Sequence, residues 1–387
     1  MKLLFVLSRF PYPLEKGDKL RAYHQLRILS QNHEIFLFAL SDQPVPQSSM
    51  DALAPFCSKI EVGYIGNCSK LLNSFRFFLK GLPIQCGYFF RRKAKQQLLD
   101  FVEEVQPDKI YAQLVRTVPY VQEFKGYKII DYQDVFSQGM LRRAKQAPFW
   151  QRPFFKMEHR RLSRYEADVF KDFQLHTIIT EVDRELMPVE EKEKIVVVGN
   201  GVDFEQFKYR GQEKTYDLIF AGNMSYAPNV DAAEFLVQQI LPKLLPQFPQ
   251  LKLVLCGANP AARVRALQGL HVVVTGWVDS MADYYAQSKI FIAPMRLGTG
   301  LQNKLLEAMA TQLPCVTSPL AGKPLKHVVN QEDILVCKET DEYVKAINRL
   351  LTDKEFYQMI SQNAYRYVQR NYSWESMTES LNTHLQE

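Results

Sequence analysis

Five groups of residues in this 387-residue chain have the types and spacing to do chemistry. In Pro294–Thr317 (PMRLGTGLQNKLLEAMATQLPCVT), Gly298 and Gly300 flank Thr299 ahead of a helical run in which Lys304 and Glu307 stand three apart. Residues three apart on a helix are surface neighbours, and a lysine near the amino end adds its charge to N–H groups and a dipole that already favour an anion. That end can hold a phosphate. The same residues also fit a plain glycine linker followed by a solvated Lys–Glu pair. Gly222 and Asn223 open a second loop, GNMSYAPN, and Gly276-Trp277-Val278-Asp279 a third, where the indole either stacks on a base or packs. Asp131 and Asp134 lie in DYQDVFS, at a position where polar groups face a crevice or, alternatively, Asp134 caps a helix. Gly17, with Arg21 close behind, precedes a helix as either a ligand-facing loop or an ordinary left-handed turn.

The elements that position these groups follow from apolar periodicity. Lys2 to Leu7 is continuously apolar, as expected for a parallel strand covered on both faces. A helix over Leu20 to Ser30 and a strand over His33 to Leu40 come next, and further strands are expected at Lys109–Ala112, Lys128–Asp131 and Leu175–Thr180. The turn signal Asn200-Gly201 in GNGVDFEQF places an interdomain joint near residues 190 to 210. Apolar runs then recur at Tyr216–Ala221, Leu251–Cys256, His271–Thr275, Lys289–Ala293, Leu313–Thr317 and Asp333–Val336. Alternation of strands with helical spans means a second βαβ sheet. On the helix after Gly300, Leu301, Leu305 and Met309 recur every four residues and face that sheet. Residues 355 to 385 read as helical, either a simple cap on the second domain or a segment crossing back to the first, with Trp374 suiting the junction.

The Pro294–Thr317 segment, with strand, glycine loop, helix and strand in that order, resembles the donor-site signature of the retaining group-1 (family 4) glycosyltransferases. The NGVD followed by phenylalanine resembles the hinge of the same family, and DYQDVFS is similar to sugar transferases of exopolysaccharide biosynthesis. The resemblance implies an α/β chain of GT-B fold, two doubly wound Rossmann-like domains facing across a cleft. Residues 1–195 would be the acceptor-side domain, 196–360 the nucleotide-sugar domain, and 361–387 a C-terminal helix crossing back. It further implies that the glycine loop contacts the sugar and diphosphate of a nucleotide sugar, that Glu307 accepts from the ribose hydroxyls, and that the segment at Trp277 and Val278 meets the base. Gly17 and Arg21 would lie against the diphosphate, and Asp131 and Asp134 near the donor sugar or acceptor.

Two departures from the family pattern stand out. The family has two glutamates eight positions apart, and Thr299 occupies the place of the first. Thr299 and the backbone of Gly300, Leu301, Gln302 and Asn303 are then the candidates to hold the donor sugar. An Arg usual after the Gly222 strand is Asn223 here, leaving Lys304, Arg296 and Arg21 to balance a diphosphate. No resident metal is implied.

Composition agrees with a folded, two-domain chain: 47% hydrophobic and 23% charged, too long for one ordinary core. The apolar run at Leu3 to Leu7 is too short for a signal or a membrane span, which reads as cytoplasmic. Six cysteines without CxxC spacing read as reduced thiols. The net charge is uneven. Residues 1–190 hold 28 Lys+Arg against 21 Asp+Glu, a net of +7, so the remainder of the total of +6 is −1. Lys70–Lys95 carries seven basic residues, no acid, and interleaved Phe and Tyr. That pattern suits the inner face of an anionic membrane, or a helix pair with core aromatics; no nucleic-acid motif accompanies it. The expected activity is transfer of a sugar from a UDP- or GDP-sugar to a glycan or lipid-linked saccharide. A nucleotide-sugar 2-epimerase and a non-catalytic sugar-nucleotide-binding protein share the architecture.

Overall fold

The computed structural model describes residues 1–209, 211–298 and 300–386, with the side chains of Cys68 and Gln146 also left aside. The chain forms two compact units, Met1–Gly199 with Thr378–Glu387, and Asn200–Met377.

The first unit is a seven-stranded sheet: β1 (Lys2–Leu7), β2 (Glu34–Ser41), β3 (Lys59–Tyr64), β4 (Lys109–Gln113), β5 (Tyr127–Asp131), β6 (Leu175–Ile178) and β7 (Ile195–Val197). All pairings are parallel, in the order β3-β2-β1-β4-β5-β6-β7. After Lys2 every residue of β1 is buried, because helices cover both faces. The sheet's two faces carry separate cores. One holds Leu4, Val6, Ile110 and Ile130, the other Leu3, Phe5, Leu7, Ile129 and, from the chain's end, Leu381 and Leu385.

The second unit repeats the plan in six parallel strands: β8 (Tyr216–Ala221), β9 (Leu253–Cys256), β10 (Val272–Gly276), β11 (Ser288–Ala293), β12 (Cys315–Thr317) and β13 (Leu335–Val336). Their order is β10-β9-β8-β11-β12-β13. The register Ile290 to Leu218 sets β8 beside β11, so loops leaving these two neighbours run to opposite halves of the sheet. The helical C-terminal run is two helices, Lys354–Asn371 and Trp374–Gln386, broken at Tyr372; the second begins in one unit and ends in the other.

The apolar side chains of the basic aromatic stretch divide between core and surface. Phe77, Phe89 and Phe90 pack on the core, whereas Leu71, Leu72, Phe75 and Leu79 of the helix Asn67–Leu79 are exposed. Five cysteines, Cys57, Cys86, Cys256, Cys315 and Cys337, are buried free thiols.

Candidate functional site

In an open parallel sheet, ligands sit beyond the carboxyl ends of strands where the winding reverses. In the second unit that point lies between β8 and β11, where two of the sequence-selected loops, those of Gly222 and Gly298, meet the loop after β9. Gly222 follows β8 with φ +151°, and Gly257 follows β9 with φ +144°. A Cβ on Gly257 would stand 1.9 Å from the Gly222 carbonyl oxygen, and one on Gly222 would stand 2.7 Å from Asn229 Nδ2 and 3.4 Å from Lys304 Nζ. Two backbones therefore approach closely beneath the lysine. Side chains at either position would fill the space above the sheet edge.

From β11 the chain enters the glycine loop, where Gly298 and Gly300 take φ of +104° and +79°. The loop ends at the helix Asn303–Ala310, which Leu305, Leu306 and Met309 anchor in the core. No side chain caps its amino end at Gln302; the Leu305 amide donates to the Gln302 carbonyl, and the Asn303 and Lys304 amides are left for solvent or a ligand. Gln302 Nε2 donates to the Gly300 carbonyl at 3.4 Å, Asn303 Oδ1 accepts from Asn200 Nδ2 at 3.4 Å, and Leu301 packs on the core. Thr299 lies outside the described residues.

Lys304 is held rather than splayed into water. Its Nζ donates to Asn229 Oδ1 at 2.7 Å and lies 3.8 Å from Met295 Sδ and 4.6 Å from the centre of the Phe220 ring. Burial lowers its pKa to about 7, against the opposing pull of Glu307. Glu307, on the same helix, accepts from the Tyr285 hydroxyl through Oε2 at 2.9 Å, and burial raises its pKa. Its Oε1 accepts no hydrogen bond among the described residues. The pair therefore offers one amine poised to gain a proton and one carboxylate oxygen open to a donor.

Two other expected donor-site groups serve the loops themselves. Arg296 makes a two-pronged ion pair with Asp231, at 2.7 and 3.0 Å, and lies over the Phe235 ring. Asp231 thus balances the Arg296 charge in this structure. Asn223 Oδ1 accepts from the Ser225 amide and hydroxyl, fixing the turn, while its carbonyl accepts from Asn229 Nδ2. Trp277 is 66% exposed beside Gly276, and Val278 is half-buried against the core.

In the first unit, Arg21 and Asp131 are brought together. Both side chains are fully buried. Arg21 Nε and Nη2 donate to the two Asp131 oxygens at 2.8 and 3.2 Å, Thr177 Oγ1 donates to Oδ1 at 2.9 Å, and Arg21 Nη1 donates to the Gly199 carbonyl. The pair ties the first helix to β5 and β6, with the two charges balanced inside the unit. Gly17 begins the helix Gly17–Leu29 without a left-handed φ, which rules out the left-handed turn, and a Cβ there would meet nothing within 4 Å. Asp134 is not a helix cap, because the helix Phe136–Gln146 is preceded by Val135 with no side-chain cap. It is about half-exposed, 3.7 Å from Arg142.

Residues 215–353, which contain all of β8 to β13 and the Lys304–Glu307 helix, match the family model for glycosyl transferases group 1. Residues 215–353 are a group 1 glycosyl transferase domain. Over 98% of both chains, the protein is 21% identical to an uncharacterized 44.6 kDa protein in the cps region of Klebsiella pneumoniae. Among solved structures it is similar to Anabaena HepE in complex with UDP and glucose, with TM-score 0.70, 14% identity, and coverage of 100% of this chain and 99% of that one. Sucrose-phosphate synthase from Thermosynechococcus elongatus gives TM-score 0.68 at 16% identity, covering 100% and 98%. These likenesses show the GT-B fold.

Three residues of the glycosyl transferase domain's site were not singled out from its sequence. Gly257 carried a usable signal, a glycine directly after the apolar run Leu251–Cys256. Asn229 sits in the GNMSYAPN loop, but nothing local marks it as the partner of a lysine 75 residues on. Tyr285 reads as one of two tyrosines in a helix; its ring is fully buried against Phe207 and Phe291, and only the fold directs its hydroxyl to Glu307.

Proposed function

We propose that this protein transfers a sugar from a nucleotide-sugar donor, a UDP- or GDP-sugar, to a saccharide or lipid-linked saccharide acceptor in polysaccharide or glycoconjugate assembly, with retention at the anomeric carbon. The observation that carries the reading is the Lys304 amine, held by Asn229 above the Gly222–Gly257 backbones beside an uncapped helix end. As the anomeric C–O bond breaks, its electron pair leaves with the diphosphate, and a fixed cation with oriented N–H groups stabilises that growing charge. Glu307 Oε1 accepts from the ribose hydroxyls while Tyr285 fixes the carboxylate's orientation. The first unit takes the acceptor, with Asp134 on its exposed loop as an acceptor-side group. Support comes from a neighbour of the same fold bound to UDP and glucose and from a full-length relative in a cps region. The reaction needs no resident metal and takes place at the cytoplasmic face of the membrane, where residues 70–95 meet anionic lipid.

The test is a thermal-shift titration with UDP, GDP and ADP, in EDTA, on the wild type and on Glu307→Ala. At a hundredfold excess over Kd, a ligand bound only to the folded state adds about 2.7 kcal/mol. One nucleotide should stabilise the wild type and lose most of that effect in the variant. A folded wild type stabilised by none of the three overturns the donor site; binding that needs a divalent cation overturns the metal-free reading.

A further inference from the structure

We propose that one face of the first unit, formed by the helices Asn67–Leu79 and Arg152–Asp172 with the turn at Phe149-Trp150, is a docking surface for an anionic bilayer, and that its cation-lined cavity receives lipid phosphates. The inference extends the membrane contact suggested for residues 70–95 to a second element and, in that respect, rests on it.

Apolar exposure is concentrated here. Leu71, Leu79, Phe149 and Trp150 are exposed by 77%, 67%, 81% and 67%, and clustered apolar exposure of this kind marks an interaction surface. The two helices belong to one face, since the Arg161 guanidinium lies 4.6 Å from the centre of the Phe78 ring. Beside Phe149 opens a cavity of about 680 Å³ lined by Arg152, Lys156, Arg160, Arg161 and Arg164. Apart from Arg161, which feels the Glu158 carboxylate, these cations are not locally neutralised. Arg152 donates to a backbone carbonyl, and among the described residues no carboxylate stands within ion-pair distance of Lys156, Arg160 or Arg164. The helix Asn67–Leu79 contains no acid. Within 148–164 the one acid, Glu158, is turned inward, accepting from the Ile84 amide at 2.7 Å.

The chemistry selects the occupant. Cations that repel one another across a shared cavity gain from a dense array of phosphates, and exposed aliphatic and aromatic side chains gain from a hydrocarbon boundary at the same level. A second copy of the chain would bring like charges together. A nucleic acid would satisfy the cations but leave Leu71, Leu79 and Phe149 in water.

The full chain is to be sedimented with vesicles of phosphatidylcholine alone and with about one-third phosphatidylglycerol, alongside Arg160→Gln/Arg164→Gln and Phe149→Ser/Trp150→Ser variants. Association is expected only with the anionic vesicles and should fall as salt rises. Each cation near the surface is worth roughly fivefold, so the double arginine variant should bind about thirtyfold more weakly. The aromatic variant should weaken binding without changing its salt slope. Both variants keep the thermal transition and the nucleotide-induced shift of the wild type, which separates this test from that of the donor site. Equal binding of wild type and variants, no binding to anionic vesicles, or a concentration-dependent dimer that the substitutions dissolve would each overturn the proposal. So would competition by soluble glycerol phosphate at the concentration of the vesicle headgroups, which would make the cavity a small-anion site.

Discussion

Replacing Lys304 by methionine should stabilise the protein at neutral pH while removing its hold on the nucleotide. Burial lowers the amine's pKa from 10.5 to about 7. Between about pH 7 and 10.5 the unfolded chain holds this proton and the folded chain does not, so stability rises with pH across that window. Below the window the folded state must carry a desolvated ammonium. At pH 7 the difference amounts to roughly 4 kcal/mol for a fully dry amine, and partial access of water cuts it to about 2 kcal/mol. Methionine has a similar length and no charge, but it gives up the hydrogen bond to Asn229, about 1 kcal/mol. The net gain is about 1 kcal/mol at pH 6 to 7, or ~3 °C in Tm for a unit of this size. By pH 10.5 the wild-type amine is neutral and the balance reverses to a loss of about 1 kcal/mol. Scanning calorimetry of both proteins from pH 6 to 10.5, with and without UDP, reads this directly. A Tm difference that stays constant across the range would refute the desolvated lysine, and an undiminished UDP shift in Lys304→Met would refute its role at the diphosphate.

Gly257→Ala forces a Cβ to within 1.9 Å of the Gly222 carbonyl and should cost about 3 kcal/mol in urea unfolding, whereas Gly17→Ala, with open space around it, should stay within about 0.5 kcal/mol. Equal effects would mean that the close approach is not real. Asp131→Asn leaves the Arg21 guanidinium buried without its charge partner and should destabilise the first unit by about 3 to 5 kcal/mol. The nucleotide-induced shift in the other unit should persist, and its loss would place Asp131 at the ligand site.

How far the fold could be read from the sequence depended on how local each signal was. Parallel strands covered on both faces are continuously apolar, so Lys2–Leu7 and Tyr216–Ala221 are visible directly. The strand Lys59–Tyr64 (KIEVGY) is not, because an edge strand keeps polar residues and its pairing with β2 supplies what the local pattern lacks. Gly298 and Gly300 were legible because a positive φ leaves few alternatives to glycine. Lys304 and Glu307 were legible because three-residue spacing fixes a shared helix face. Partnerships made across the fold were not. Arg21 meets Asp131 over 110 positions and Arg296 meets Asp231 over 65, and in each case a cation that sequence leaves available is already neutralised.

The terminal helix has a consequence for how the protein is made. A ribosome completes residues 1–199 long before it reaches Leu381 and Leu385, yet both leucines belong to the core of that first unit. Asn382 Oδ1 likewise meets His33 Nε2 at 2.6 Å. The unit synthesised first is thus the one finished last. During synthesis, the face of its sheet that bears Leu3, Phe5 and Leu7 remains incompletely covered while the other unit, whose residues all lie within 200–377, can already close.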